Sequence, residues 1–179
     1  MPGINSDQSE TLDLQLDAQV PRKFVRGSQT QEVICEVIDP FSAEYDTLLQ
    51  GAKVFRKIAE VRVRLTTPGT VVVTDQSSTR RTAQPGDVLV ENPTGEVYLV
   101  SASDLAARYD RKPGVPGVYL AKGIVRAAPL RKHVLMKASW GEWVGAMAGD
   151  MFAERLDTNE RYCIERPAFD ATFAPHTAD

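Results

Sequence analysis

Apolar and polar residues alternate along the stretch EVRVRL at 60–65, the period of two that belongs to a strand with one buried face. TTPG at 66–69 follows, and Pro-Gly suits the two central positions of a type II turn. TVVVT at 70–74 is β-branched throughout and predicts a second strand. A polar loop runs over 75–83. PGD at 85–87 predicts another turn into a strand at 88–90, and NPTG at 92–95 turns the chain into EVYLV at 96–100 as a hairpin. There the period changes: Ser103 is placed to cap a short helix over 104–109, with Leu105, Ala106 and Tyr109 on one side.

The same succession recurs along the chain. GSQTQEVICEVIDPFSAEYD at 27–46 aligns without a gap on ENPTGEVYLVSASDLAARYD at 91–110, with identities at 6 of 20 positions, among them Glu32/Glu96, Tyr45/Tyr109 and Asp46/Asp110. The offset is 64. Applied again, it sets Glu96 on Glu160, Tyr98 on Tyr162, Leu105 on Phe169 and Tyr109 on Phe173; Cys35 meets Cys163 across the first and third copies. Upstream, Val54, Val61 and Arg62 meet Val118, Val125 and Arg126, and Gly86-Asp87 meets Gly149-Asp150 one residue out of step. The expected organisation is a disordered tail at 1–9, a shortened copy at 10–46, full copies at 47–110 and 111–175, and a tail at 176–179. Asp39-Pro40 would start the helix of the first copy, and Pro167 that of the third. One such unit has too little core to stand alone, so the expected fold is α+β, three related β-rich units sharing a core.

Composition excludes several classes. With 42% apolar and 25% charged residues the chain has the balance of a soluble globular protein. No apolar run approaches the length of a membrane span, and the polar, acidic start carries no secretory signal, so a cytoplasmic protein without a membrane partner is expected. A net charge of −3 does not favour nucleic acid as a partner. Two cysteines make neither a disulfide framework nor a zinc site alone. No phosphate-binding glycine loop, nucleophile elbow or zinc-protease motif is present, and His133 and His176 are the only histidines.

The pattern Pro-Gly-Asp-x-Leu-Val, then Gly-Glu-x-Tyr-x-Val, then a short helix ending Ala-Arg-Tyr-Asp resembles the PGDYG family of bacterial proteins and similar small phage and prophage proteins of unknown function. Val54, Phe55, Arg56 and Lys57 match the opening of those proteins, and Pro85, Gly86, Asp87, Gly95, Glu96, Tyr98 and Tyr109 the remainder. Val88 and Leu89 stand where the family has Tyr-Gly. The resemblance implies a small α+β module and brings no established chemistry or cofactor.

Two groups of residues are candidates for a site. Trp140 and Trp143 interrupt the repeat beside a stretch, 111–141, that holds seven Lys or Arg and no acid. An aromatic anchor next to Arg126, Arg131 and Lys132 suits a protein partner or a small anionic ligand; the alternative is a hydrophobic plug over the core. The recurring Asp87, Glu96, Tyr98, Asp150, Glu160 and Tyr162 would make a second cluster, for acid–base work or a base-stacking platform, set against turn-making carboxylates and core aromatics. Cys35 and Cys163 are expected as inert buried thiols. The expected function is a non-catalytic binding or interaction protein of phage or prophage type, with a small-molecule or nucleotide-binding protein, its site between copies, as the alternative. No catalytic residue, metal site or cofactor is assigned.

Overall fold

The computed structural model describes residues 14–73, 80–93, 95–139 and 141–177. The tail expected at 1–9, most of the loop at 75–83, and Trp140 lie outside them. The chain is mostly β. Its elements are β1 (Gln19–Arg26), β2 (Gln29–Ile38), α1 (Ala43–Gln50), β3 (Lys53–Lys57), β4 (Glu60–Leu65), β5 (Val71–Val73), β6 (Arg80–Thr82), β7 (Val88–Glu91), β8 (Val97–Val100), α2 (Ala102–Arg108), β9 (Tyr109–Arg111), β10 (Val118–Ala121), β11 (Ile124–Pro129), β12 (Val134–Lys137), β13 (Trp143–Ala146), β14 (Met151–Arg155), β15 (Arg161–Ile164), α3 (Arg166–Thr172) and β16 (Phe173–Pro175). Three main sheets result, ordered β1-β2-β12-β13, β8-β7-β4-β10-β9 and β15-β14-β11-β3-β16, and β5 pairs with β6 as a separate hairpin.

The turns behave as their residues demand. Thr70 N–H donates to the Thr67 carbonyl across Pro68-Gly69, with Gly69 at φ 90°, and Asp87 N–H closes the same turn on Gln84 across Pro85-Gly86, with Gly86 at φ 87°. Two helix starts differ from expectation. Ser101, not Ser103, caps α2, because its hydroxyl is the one that reaches the Asp104 N–H, at 3.1 Å. α1 begins at Ala43, because the Asp39 carboxylate bonds the Phe41 N–H at 2.9 Å and spends Asp39-Pro40 on a turn ahead of the helix.

The two five-stranded sheets correspond rung for rung. β4 faces β7 with Arg62 opposite Glu91 and Arg64 opposite Leu89; β11 faces β14 with Arg126 opposite Glu154 and Ala128 opposite Phe152. Tyr98 stands opposite Val90 as Tyr162 does opposite Ala153. The central strands are exchanged. β3, just ahead of β4 in the chain, pairs with β11 and β16; β10, just ahead of β11, pairs with β4 and β9. Where the two connections cross, Lys57 N–H donates to the Gly123 carbonyl and Ala121 N–H to the Ala59 carbonyl, both at 2.9 Å.

Two apolar clusters each lie on one five-stranded sheet, and a third, under α1, joins the β11–β14 sheet to β2, β12 and β13. Under α3, Phe169 stacks on Phe173 at 4.8 Å and meets Phe55 edge-on, with Val125, Met151 and Ala153 around them. Under α2, Val61, Val88, Val90 and Val100 pack with Tyr98, Leu105 and Tyr109. On the opposite face of the β11–β14 sheet, α1 sets Tyr45 and Leu49 against Phe152, Leu130 and Met136. The β1–β2 ribbon curls over β12–β13, where a Cβ on Gly145 would stand 2.9 Å from the Phe24 ring, so that position admits only glycine without movement of Phe24.

Phe173 is buried, whereas Tyr109 at the matching rung is half-buried, its hydroxyl 2.8 Å from that of Tyr98. Phe173→Ala should therefore cost about 3–5 kcal/mol as a core cavity, and Tyr109→Ala distinctly less. Urea unfolding of the two variants checks this; equal losses would show that the two positions pack alike.

Candidate functional site

The first candidate group is divided by the fold. Trp143 opens β13 and packs half-buried among Cys35, Val37, Leu135 and Phe24, while its carbonyl accepts a bond from Arg22. It covers an apolar cluster. Arg126, on the face of β11 that points away from α3, binds Glu154 through Nε at 2.7 Å and through Nη2. Lys132 reaches Glu36 at 2.8 Å and Glu44 at 3.1 Å, and those carboxylates raise its pKa. Arg131 is exposed. It shares with Lys132 a cleft of about 560 Å³ between α1 and the β11–β12 connection, lined also by Tyr45, Leu48, Pro129 and Leu130. So the structure brings Arg131 and Lys132 together and leaves Arg126 and Trp143 in other surroundings.

The second candidate group falls on two separate sheets. Asp87 and Asp150 do the same work in each: a carboxylate oxygen accepts the N–H three residues back, Gln84 at 3.0 Å and Met147 at 2.8 Å, and so holds the turn. Asp150 also receives Arg166 N–H at the start of α3 and the Arg26 guanidinium at 2.5 Å. Glu96 exchanges bonds with Asn92 across the β7–β8 turn, its own N–H on the Asn92 Oδ1 at 3.0 Å. Glu160 accepts from the Ser139 hydroxyl at 2.5 Å. Burial pushes the phenol of Tyr162 up to about 12 and raises that of Tyr98, which the bond to Tyr109 raises further. Each carboxylate is thus engaged by neighbouring groups, and that of Asp150 also ties β1 to the turn ahead of β14.

A network that the sequence did not single out joins the N-terminal segment to the β15 edge. Arg161, buried, binds Glu154 at 2.6 Å, Asp46 of α1 at 2.7 Å and the Pro40 carbonyl at 2.7 Å, and its guanidinium lies 4.9 Å from the Phe41 ring centroid. Burial pulls the Glu154 carboxyl up, but the bonds from Arg161 and Arg126 outweigh it and hold its pKa below the ordinary carboxylate range. The signal lay in the alignment at the offset of 64: Arg161 falls on Val97 and, at twice the offset, on Val33, a charge at an otherwise apolar position.

Cys35 and Cys163 lie in different apolar clusters and are not bonded to each other. Burial pushes the Cys163 thiol up to about 12, and its Sγ lies 3.6 Å from the Met136 sulfur. His133 accepts the Ala148 N–H on Nδ1. Among the described residues no three His, Cys, Asp or Glu side chains gather as metal ligands, and no helix is long and apolar enough to cross a membrane.

No family model matches this chain, and neither the curated proteins nor the solved structures contain a match to it.

Two outcomes test this geometry. Arg161→Met should lower stability by about 3–5 kcal/mol, because it breaks a buried ion pair and frees residues 40–46. Glu154, depressed in the folded state, gives stability that is lost as pH falls through its folded pKa, and the variant should lose part of that acid sensitivity in urea titrations from pH 7 to 3. At the alkaline end the sign reverses. Tyr45, Tyr162 and Cys163 all hold their protons up to about 12 in the fold, so stability should fall as pH rises through the ordinary thiol and phenol range. Cys35 is buried and Cys163 half-buried, so iodoacetamide at pH 8.5, a value of the order of a free thiol's pKa, should label Cys35 only after denaturation and Cys163 slowly in the native chain; rapid native labelling of Cys35 would contradict its burial.

Proposed function

We propose that this chain is a non-catalytic binding protein made by duplication of a β-rich unit of about 64 residues, shortened over 10–46 and complete over 47–110 and 111–175. The matching rungs of the two five-stranded sheets support the duplication. The likeness of Pro85, Gly86, Asp87, Glu96 and Tyr98 to the PGDYG family, and to small phage proteins, accords with a compact module acting through contacts in the cytoplasm.

The observation that carries the reading is the state of the candidate polar groups. Asp87, Glu96, Asp150 and Glu160 are spent on turns and local partners, and the tyrosines bond one another or lie in apolar clusters. Among the described candidate residues no pair of carboxylates is set to divide acid and base roles. What remains for other molecules is surface, and a protein partner is the ligand that uses surface.

A small anionic ligand is the second reading, favoured by one feature: the cleft of about 560 Å³ with exposed Arg131 at Lys132. Its size lies within the range of small-molecule sites. Glu44 lines the same cleft and opposes an anion there.

Thermal unfolding with inorganic phosphate, ATP and Mg²⁺ separates the two. A ligand present at 100 times its Kd adds about 2.7 kcal/mol of stability. The protein-binding reading expects no shift with any of them. A shift abolished by Arg131→Glu, a surface change that leaves unliganded melting alone, would transfer the function to the cleft.

A further inference from the structure

The β5–β6 hairpin corresponds to β12–β13, and the two end differently. β12 carries β2 on its outer edge in parallel, with Val134 opposite Glu36, Leu135 opposite Val37 and Met136 opposite Ile38. The chain then passes through residues 39–42 into α1, which lies on the face of the β11–β14 sheet that holds Phe152 and Ala128. Over β5 and the matching face of the β4–β7 sheet no described element takes these places. β5 pairs only with β6 among the described strands. Val71 is 56% exposed on it, and Leu89, at the rung of fully buried Phe152, is half-buried.

Charge says what would fit. The segment 27–52, which fills the seat on the other sheet, carries Glu32, Glu36, Asp39, Glu44 and Asp46 and no Lys or Arg. It meets Lys132 and Arg161 there. On the vacant face the cations stand on β4: Arg62 and Arg64 are exposed beside Leu89, Glu60 on the same face is paired with Lys112, and Glu91 is bonded weakly to Arg64 at 3.5 Å. The longest edge strand that a second copy of this chain would offer among the described residues is β1, which brings Arg22, Lys23 and Arg26 against these arginines. An acidic strand matches the face, and a basic one does not.

We infer that β5 and the Arg62–Arg64–Leu89 face form a strand-addition site for an acidic segment of a partner protein, an extended strand with apolar residues at alternate positions running parallel to β5, followed by a helical turn that sets carboxylates on Arg62 and Arg64. Main-chain pairing on an open edge supplies affinity, and the alternating side chains supply choice. The inference rests on the reading of the two sheets as copies of one unit, since it takes the occupant's shape from β2–α1.

The probe is a fluorescein-labelled peptide of residues 29–50 of this chain with Cys35→Ser, titrated with the full-length protein. Saturable binding is expected, weakened at least tenfold by Arg62→Glu with Arg64→Glu, weakened also by Val71→Lys on the edge, and unaffected by Arg131→Glu. Hydrogen exchange should show new protection at Thr70–Val73. Melting of each variant without peptide should equal that of the parent, which separates lost binding from lost folding. Absence of binding, binding indifferent to both β4 and β5 changes, or protection confined to β12 with release of the chain's own β2 would each overturn the site. Protection confined to β12 would leave the duplication and the binding-protein reading standing. Tighter binding of an oligonucleotide than of the peptide, lost in the same arginine variants, would overturn it in favour of a phosphate-binding face.

Discussion

Between β3 and β4 the chain has only Ile58 and Ala59, and between β10 and β11 only Lys122 and Gly123. A two-residue hairpin needs a positive φ at its first central residue, and neither Ile58 nor Lys122 has one. Each strand therefore cannot fold back on its successor and runs on into the other sheet. Because both connections obey the same rule, the crossing is reciprocal: β3 lies in the sheet of β11, and β10 in the sheet of β4. The exchanged strands lie second from an edge, so each sheet depends on the other half of the chain for an interior strand. Separating the halves would strip β4 and β11 of a partner each, and neither sheet would keep its order.

On that frame the N-terminal segment is held by side chains more than by strand pairing. β2 meets β12 over only three rungs, while Arg161 ties Glu154, Asp46 and the Pro40 carbonyl together in one buried position. A buried pair repays its desolvation only where the remaining donors are also satisfied. Arg161 meets that condition through three acceptors and the Phe41 ring, and Glu154 through two guanidinium groups. The network fixes where residues 39–46 lie, and so which side chains of α1 reach Phe152.

Much of the strand order was legible because it rests on local chemistry. The alternation at 60–65 became β4 with the same bounds, and the Pro-Gly turns at 68–69 and 85–86 closed as their φ preferences require. The offset of 64 set Tyr98 and Tyr162 at equivalent rungs, which side-chain periodicity alone would not have done. Pairing partners were not legible. EVRVRL states that one face is buried, but nothing in it states that its neighbour is VYLA of the following stretch and not the VFRK just before it. The absence of turn residues at 58–59 was the one local sign. Among the candidate site residues, the carboxylates of the Gly-Asp turns repeat because the turn repeats, and Trp143 covers the cluster around Cys35. Repetition marked a structural need in the first case, and size and apolarity marked one in the second.

The differences between matching positions carry more information about function than the likenesses. Where β11 has Ala128 under α1, β4 has exposed Arg64; where β14 has Phe152, β7 has the smaller Leu89; where β15 has Arg161 to hold the segment at 40–46, β8 has Val97. The second and third of these differences take away contacts that hold residues 40–46 and α1 on the other sheet, whereas Arg64 sets a cation at the position over which α1 lies there. A sheet adapted only to stand uncovered would gain from polar residues along its open edge. β5 instead keeps three consecutive valines, and at the rungs of β4 that face β7 the exposed residues include Arg62 and Arg64, while Glu60 further along is taken up by Lys112. An apolar edge costs a lone protein in aggregation, and two exposed arginines at alternate positions of one strand repel each other. Both costs vanish when an acidic strand lies on them, which is the arrangement the same chain already shows around β12.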